Sequence, residues 1–209
     1  MMELSLEDGG LLVKLARRAI EKYLGEGVLE TPPADLKDVF YEPFGVFVTL
    51  NRLIGPAQLG RKELRGCIGF PEPIKPLVSA LIEAAVAAAV EDPRFPPVSL
   101  EELGSIVIDV SVLTPPQLID VEDKKMLPSK IKIGRDGLIV ERGFHKGLLL
   151  PQVAVEEKWG PEAFLSYTCI KAGLPPECWL DKKTHVYSFQ AIVFEETSPK
   201  GDVKMLELG

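Results

Sequence analysis

Helical and extended patterns follow one another along this chain without a βαβα rhythm, and proline or glycine marks most of the joints. A parallel sheet needs a long crossover between successive strands, so the missing rhythm points to an α+β fold. Leu11, Leu12, Leu15, Ala16, Ala19, Ile20 and Tyr23 recur at helical spacing, which predicts a helix from Leu6 to Leu24. Ser5 is its N-cap, and Gly25 and Gly27 end it. Pro76 opens a second, Ala-rich helix that Glu91-Asp92-Pro93 stops, because the residue before proline avoids the α region. Gly45–Leu53, Glu63–Phe70, Ile106–Leu113 and His185–Phe194 read as strands of a mostly antiparallel sheet. A glycine-marked turn through Gly55 and Gly60 joins the first two.

Between Ile119 and Leu150 the pattern changes to short β segments, at Lys130–Ile133, Leu138–Glu141 and Lys146–Leu150, with a tight turn at Arg135-Asp136-Gly137. The expected organisation is therefore a larger α+β domain built from residues 1–114 and 151–209, its sheet flanked by helices. Residues 115–150 form a smaller β subdomain, and a cleft between the two is the expected ligand site.

Composition removes several function classes. The chain has 209 residues, 46% of them apolar, enough for a real core. Its net charge of -7 argues against a broad nucleic-acid-binding face. The most apolar stretch, Pro76 to Val90, is too short for a bilayer and contains Glu83, so no membrane role is expected. Three cysteines are too few for a disulfide scaffold and predict reduced thiols in a cytoplasmic protein. A single asparagine (Asn51) beside 18 prolines is a thermophile-like composition. No C-x₂₋₄-C or H-x₃₋₅-H spacing supports a metal site, and no phosphate-binding loop is present, so the sequence assigns no cofactor.

Leu64-Arg65-Gly66-Cys67-Ile68-Gly69 carries the most chemistry. Strand alternation turns Leu64, Ile68 and Phe70 inward and puts Arg65, Cys67 and Gly69 on the opposite face. A guanidinium there favours the thiolate, making Cys67 a candidate nucleophile. Gly66 and Gly69 weaken a strand and mark places where another group approaches the backbone. The plainer alternative is a packed cysteine, with glycines that accommodate a helix.

This hexapeptide resembles the signature of the AMMECR family, named for the Alport syndrome, midface hypoplasia and elliptocytosis chromosomal region. Asp92 to Pro97, Val110 to Pro116 and Leu150 to Ala154 with Glu156 and Trp159 are similar to the family's pattern too, and the likeness runs from the first helix to the last strand. The resemblance implies a two-domain fold with the cysteine motif near a cleft, and a biochemical activity that is not established. It also implies dioxygenase-like and radical SAM partners in a modification pathway.

Other residues join Cys67 and Arg65 as candidates. Arg94, bracketed by Pro93 and Pro96-Pro97, is either an anion clamp or a partner of Asp92. Glu156 is either a general base or a salt-bridge partner, and His145 either completes a Cys–His pair or is a surface histidine. Asp109 and Ser111 share one strand face and line either a polar cleft or solvent. Two function classes follow. One is a cysteine-dependent enzyme with catalytic Cys67, Arg65, Arg94 and Glu156, acting on a small or nucleotide-like substrate held by Gly66, Gly69, Asp92 and His145. The other is a non-catalytic module that binds a small molecule or a protein in the same cleft.

Overall fold

The computed structural model describes residues 4–54 and 61–206, so the turn through Gly55 and Gly60 lies outside the described residues. In chain order the elements are α1 (Leu6–Glu26), β1 (Gly45–Ile54), β2 (Arg61–Phe70), α2 (Leu77–Val90), β3 (Ile106–Leu113) and β4 (Gln117–Leu118). They continue with α3 (Leu127–Lys130), β5 (Asp136–Arg142), β6 (His145–Leu149), α4 (Pro151–Glu156), α5 (Pro161–Lys171), β7 (His185–Glu196) and β8 (Val203–Leu206).

Ser5 does cap α1. Its Oγ accepts from the Asp8 N–H at 3.2 Å while Asp8 Oδ2 accepts from the Ser5 N–H at 3.0 Å, a reciprocal pair that satisfies two orphan donors. The helix runs two residues past its expected end, because Gly27 rather than Gly25 adopts the left-handed cap, at φ 71. In α2 Pro76 is the N-cap, one step outside the first helical position. Alanines at 80, 84, 85, 88 and 89 bury nearly every face of this helix, which packs on α1, β1 and β2.

The chain falls into two compact units, Met1–Leu113 with Ile192–Leu206, and Thr114–Ala191. The first holds strands in the order β2-β1-β3-β7-β8, where β7 contributes its last residues. Val46, Val48, Leu50, Ile108, Val110 and Val112 turn one face of this sheet into the core shared with α1 and α2. In the second unit β7 pairs with β4 and β5, and β5 with β6. The β1–β2, β1–β3, β4–β7, β5–β6, β5–β7 and β7–β8 pairings are antiparallel, in keeping with the mostly antiparallel sheet that the sequence predicts.

Several expectations are corrected here. The second unit runs on to residue 191 instead of stopping at 150, because Ala154, Phe164, Leu165 and Cys169 of α4 and α5 bury themselves in its own core with Leu138 and Val140. Residues 130–133 form no strand: Lys130 ends α3, and the chain turns before β5, which starts at Asp136. The three thiols are not all reduced. Cys169 and Cys178 form a disulfide with Cα atoms 6.0 Å apart, tying the end of α5 to the turn around Trp179. No described helix is long and apolar enough to cross a membrane.

One buried ion pair joins three elements of the first unit. Arg17 of α1 donates to Glu196 of β7 through Nε at 2.8 Å and Nη2 at 2.5 Å, and to the Leu103 and Ile106 carbonyls at 3.3 and 2.7 Å. Glu196 Oε2 also accepts the Ile108 N–H of β3 at 3.0 Å. Removing one partner strands the other charge, so Glu196→Ala is expected to cost about 3–5 kcal/mol in urea unfolding, and the double change Arg17→Met/Glu196→Leu clearly less. Thiol titration of the unfolded, unreduced chain should find one reactive cysteine, rising to three after reduction. Closing the short loop is expected to contribute about 2–3 kcal/mol, read as the loss on Cys169→Ala/Cys178→Ala.

Candidate functional site

The cysteine motif lies on β2, whose neighbour is β1. Val48 pairs with Ile68, and Leu50 with Gly66, but Asn51 pairs with Leu64, so Arg65 is an extra residue opposite β1. This bulge breaks the simple alternation. Leu64, expected in the core, is exposed and pairs with Asn51, while Gly66 takes the core side opposite Leu50. A Cβ at Gly66 would collide with the Ala88 carbonyl of α2, and one at Gly69 with the Phe47 ring. Both glycines therefore have packing reasons: Gly66 admits a helix backbone, and Gly69 admits an aromatic ring from the neighbouring strand.

Arg65 is engaged by a carboxylate. Its buried guanidinium makes a bidentate pair with Glu102, Nε to Oε1 at 2.7 Å and Nη2 to Oε2 at 3.0 Å. Arg52 reaches the same carboxylate. Arg65 and then Arg52 hold the Glu102 carboxyl below its ordinary range against the opposing effect of burial. Arg94 Nη2 donates to the Cys67 carbonyl at 3.4 Å. Arg94 grips the buried Asp92 in bidentate fashion, at 2.9 and 2.6 Å, and Asp92 in turn accepts the Cys67 N–H at 2.8 Å. These bonds, with Arg94 first, hold Asp92 far below the usual carboxylate range, while Asp92 and then the Cys67 sulfur raise Arg94. Of the two alternatives for Arg94 the observed one is the Asp92 pair, which fixes it while half of its side chain stays in solvent.

The Cys67 thiol, half-buried and outside any disulfide, lies on the face away from the core. Thr49 Oγ1 donates to its Sγ at 3.3 Å. Thr49 is also the register partner of Asp109, so Cys67, Thr49 and Asp109 form one row across β2, β1 and β3. Asn51 donates to Asp109 Oδ2 at 2.7 Å, and Lys62 Nζ lies 3.6 Å from Oδ1 and 3.0 Å from Glu195. At 3.6 Å the Lys62 contact is an ion pair and not a hydrogen bond. Burial pushes the Asp109 carboxyl up to about 7, with Glu195 adding to it and Lys62 and Asn51 opposing. The sequence shows Asp109 only as a polar residue on a strand. Its burial and its place in the row come from the register.

Glu156 and His145 belong to the second unit. His145, exposed, opens β6 after the turn at Gly143, and its Nδ1 lies 3.2 Å from the Ala172 carbonyl at the end of α5. Glu156 ends α4 as an exposed residue whose carboxyl is raised first by desolvation and then by Glu157. Among the described residues no group of three or more His, Cys, Asp or Glu side chains could hold a metal.

A family model described as AMMECR1 matches residues 13–194. The chain belongs to the AMMECR1 family. It is 59% identical over 204 residues to Protein PF1979 of Pyrococcus furiosus, covering 98% of this chain and 95% of that one. It is 53% identical to Protein MJ0810 of Methanocaldococcus jannaschii, with 97% of each chain covered. The crystal structure of the uncharacterised protein PH0010 from Pyrococcus horikoshii superposes with a TM-score of 0.92 at 56% identity, covering 99% of this chain and 100% of that chain. The AMMECR1 family thus accounts for the fold, with no activity attached.

A carboxyl with a raised folded value holds a proton that the unfolded chain releases above its ordinary value of 3.8. Stability should therefore fall as pH rises from about 4 to about 7. Asp109→Asn removes that titration, so its gain in Tm over the parent is expected to be larger at about pH 8 than at about pH 4.

Proposed function

We propose that the half-buried sheet face around Cys67 carries thiol-dependent chemistry, with Cys67 as nucleophile or covalent carrier for a small substrate. The Cys67–Thr49–Asp109 row carries this reading. A hydroxyl donating to sulfur favours the thiolate over the thiol. Asp109 changes protonation near neutrality, the range in which a general acid or base works best. Adjacent strands are spaced at about 4.8 Å, so a small molecule can span from the sulfur to the carboxyl two strands away. Arg94, partly in solvent beside Cys67, is the cation that would receive an anionic group on that molecule. In a modification pathway such a carrier would work with partner enzymes of the dioxygenase-like or radical SAM kind.

The second reading, a non-catalytic binding module, is favoured by a different observation. Arg65, Gly66 and Gly69 each have a structural duty, so much of the motif is explained without chemistry. Iodoacetamide labelling of the native protein across pH, read at Cys67 by mass spectrometry, separates the two. The nucleophile reading expects native labelling that Thr49→Val slows about 2- to 10-fold, the value of one hydrogen bond. It also expects Asp109→Asn to displace the pH profile. A Cys67 that labels only after denaturation, with no effect of Thr49→Val, leaves the binding module.

A further inference from the structure

Residues 27–44, between α1 and β1, contain no regular structure beyond one helical turn at Asp38–Phe40. Connections of that length without structure of their own are uncommon in compact domains and usually serve a function. This one is pinned rather than loose. Lys37 Nζ donates to Asp8 Oδ1 at 2.7 Å, Glu30 pairs with Arg18 at 2.8 Å, and Tyr41 Oη donates to the Pro33 carbonyl at 2.7 Å. Between those ties the segment stands off α1 and leaves an apolar pocket of about 250 Å³. Leu11, Leu12, Leu15, Pro33, Leu36 and Phe40 line it.

Its only polar lining comes from two cations on the same helix face, Lys14 and Arg18, one turn apart. Arg18 is partly neutralised by Glu30. Lys14 is exposed, and among the described residues no hydrogen bond or ion pair engages it. An uncompensated ammonium at the mouth of a preformed apolar pocket matches a ligand with an aliphatic body and an anionic end, the lysine stem covering the body while the head meets the charge. The volume lies below the roughly 300–1,000 Å³ of drug-sized sites, so the body must be short.

We infer that this pocket binds a free medium-chain aliphatic carboxylate. The site uses only residues of α1 and of the segment after it, independently of Cys67. Titration of the full chain with octanoate, followed by calorimetry, is the test, with octan-1-ol as the uncharged probe of equal length. Octanoate is expected to bind saturably at one site per chain, and more tightly than octanol. Lys14→Gln, at an exposed position that cannot disturb the core, should weaken octanoate about 3- to 10-fold and leave octanol unchanged. Leu36→Trp, which fills the pocket, should abolish binding of both, with circular dichroism confirming that the variant is folded. If that variant fails to fold, Leu11→Trp at the exposed rim serves in its place. No saturable binding up to about 10 mM, equal affinity for the two probes, or an unchanged octanoate affinity in Lys14→Gln overturns the inference. So does a dimer that Leu11→Glu dissociates, because a second copy would then be the occupant.

Discussion

The first unit depends on the Arg17–Glu196 pair. Residues far apart in the chain meet there, on α1 and on β7, and the free polar atoms of both are spent on the backbone of and before β3. A buried ion pair adds little net stability, since desolvating two charges costs several kcal/mol, but it is unforgiving about geometry. Only one placement of α1 over the sheet lets Arg17 reach Glu196 and two carbonyls at once. The apolar side chains around it, Leu12, Ile20, Ile108 and Phe194, would tolerate sliding. The ion pair would not, so it selects the register in which the hydrophobic core closes.

Two aspartates on the same unit show how environment divides one residue type. Asp92 receives four hydrogen bonds, three from Arg94 and one from the Cys67 backbone, and stays ionised. Asp109 is largely but not fully buried, with an amide and a distant ammonium for company, and holds its proton to near neutrality. Cys67 touches the first through its backbone and shares a row with the second. A rigid ionised anchor and a titrating neighbour on either side of a thiol suit a site in which position is fixed and protonation is not.

What could be read from the chain follows from how local each signal is. The Ser5 cap, the α1 periodicity, the proline before α2 and the principal strands are local, and the structure has them within a few residues. The exposure of Leu64 is not legible because a bulge is a property of two paired strands and leaves no mark on one. Asp109 is visible as a polar residue but not as a largely buried one, because burial depends on the register of β3 against β1. The Cys169–Cys178 bond is not legible because a count of three cysteines says nothing of which two the fold brings together, here the end of α5 and the turn around Trp179. The extent of the second unit was missed because the pattern change at Pro151 marks a switch from strand to helix, not the end of a core.

The clamp on Cys67 has a consequence for how the molecule behaves among its copies. Among the described residues β2 is the outermost strand of its sheet, and such a strand presents backbone donors and acceptors that invite pairing with another chain. At Cys67 both are already taken, the N–H by Asp92 and the carbonyl by Arg94. A strand from a neighbour would have to break a charged pair to dock beside the motif. The bulge at Arg65 bends the same edge away from the flat geometry that a fibril requires. A glycine-bearing strand that would otherwise be a template for aggregation is thereby closed to strand addition at its centre.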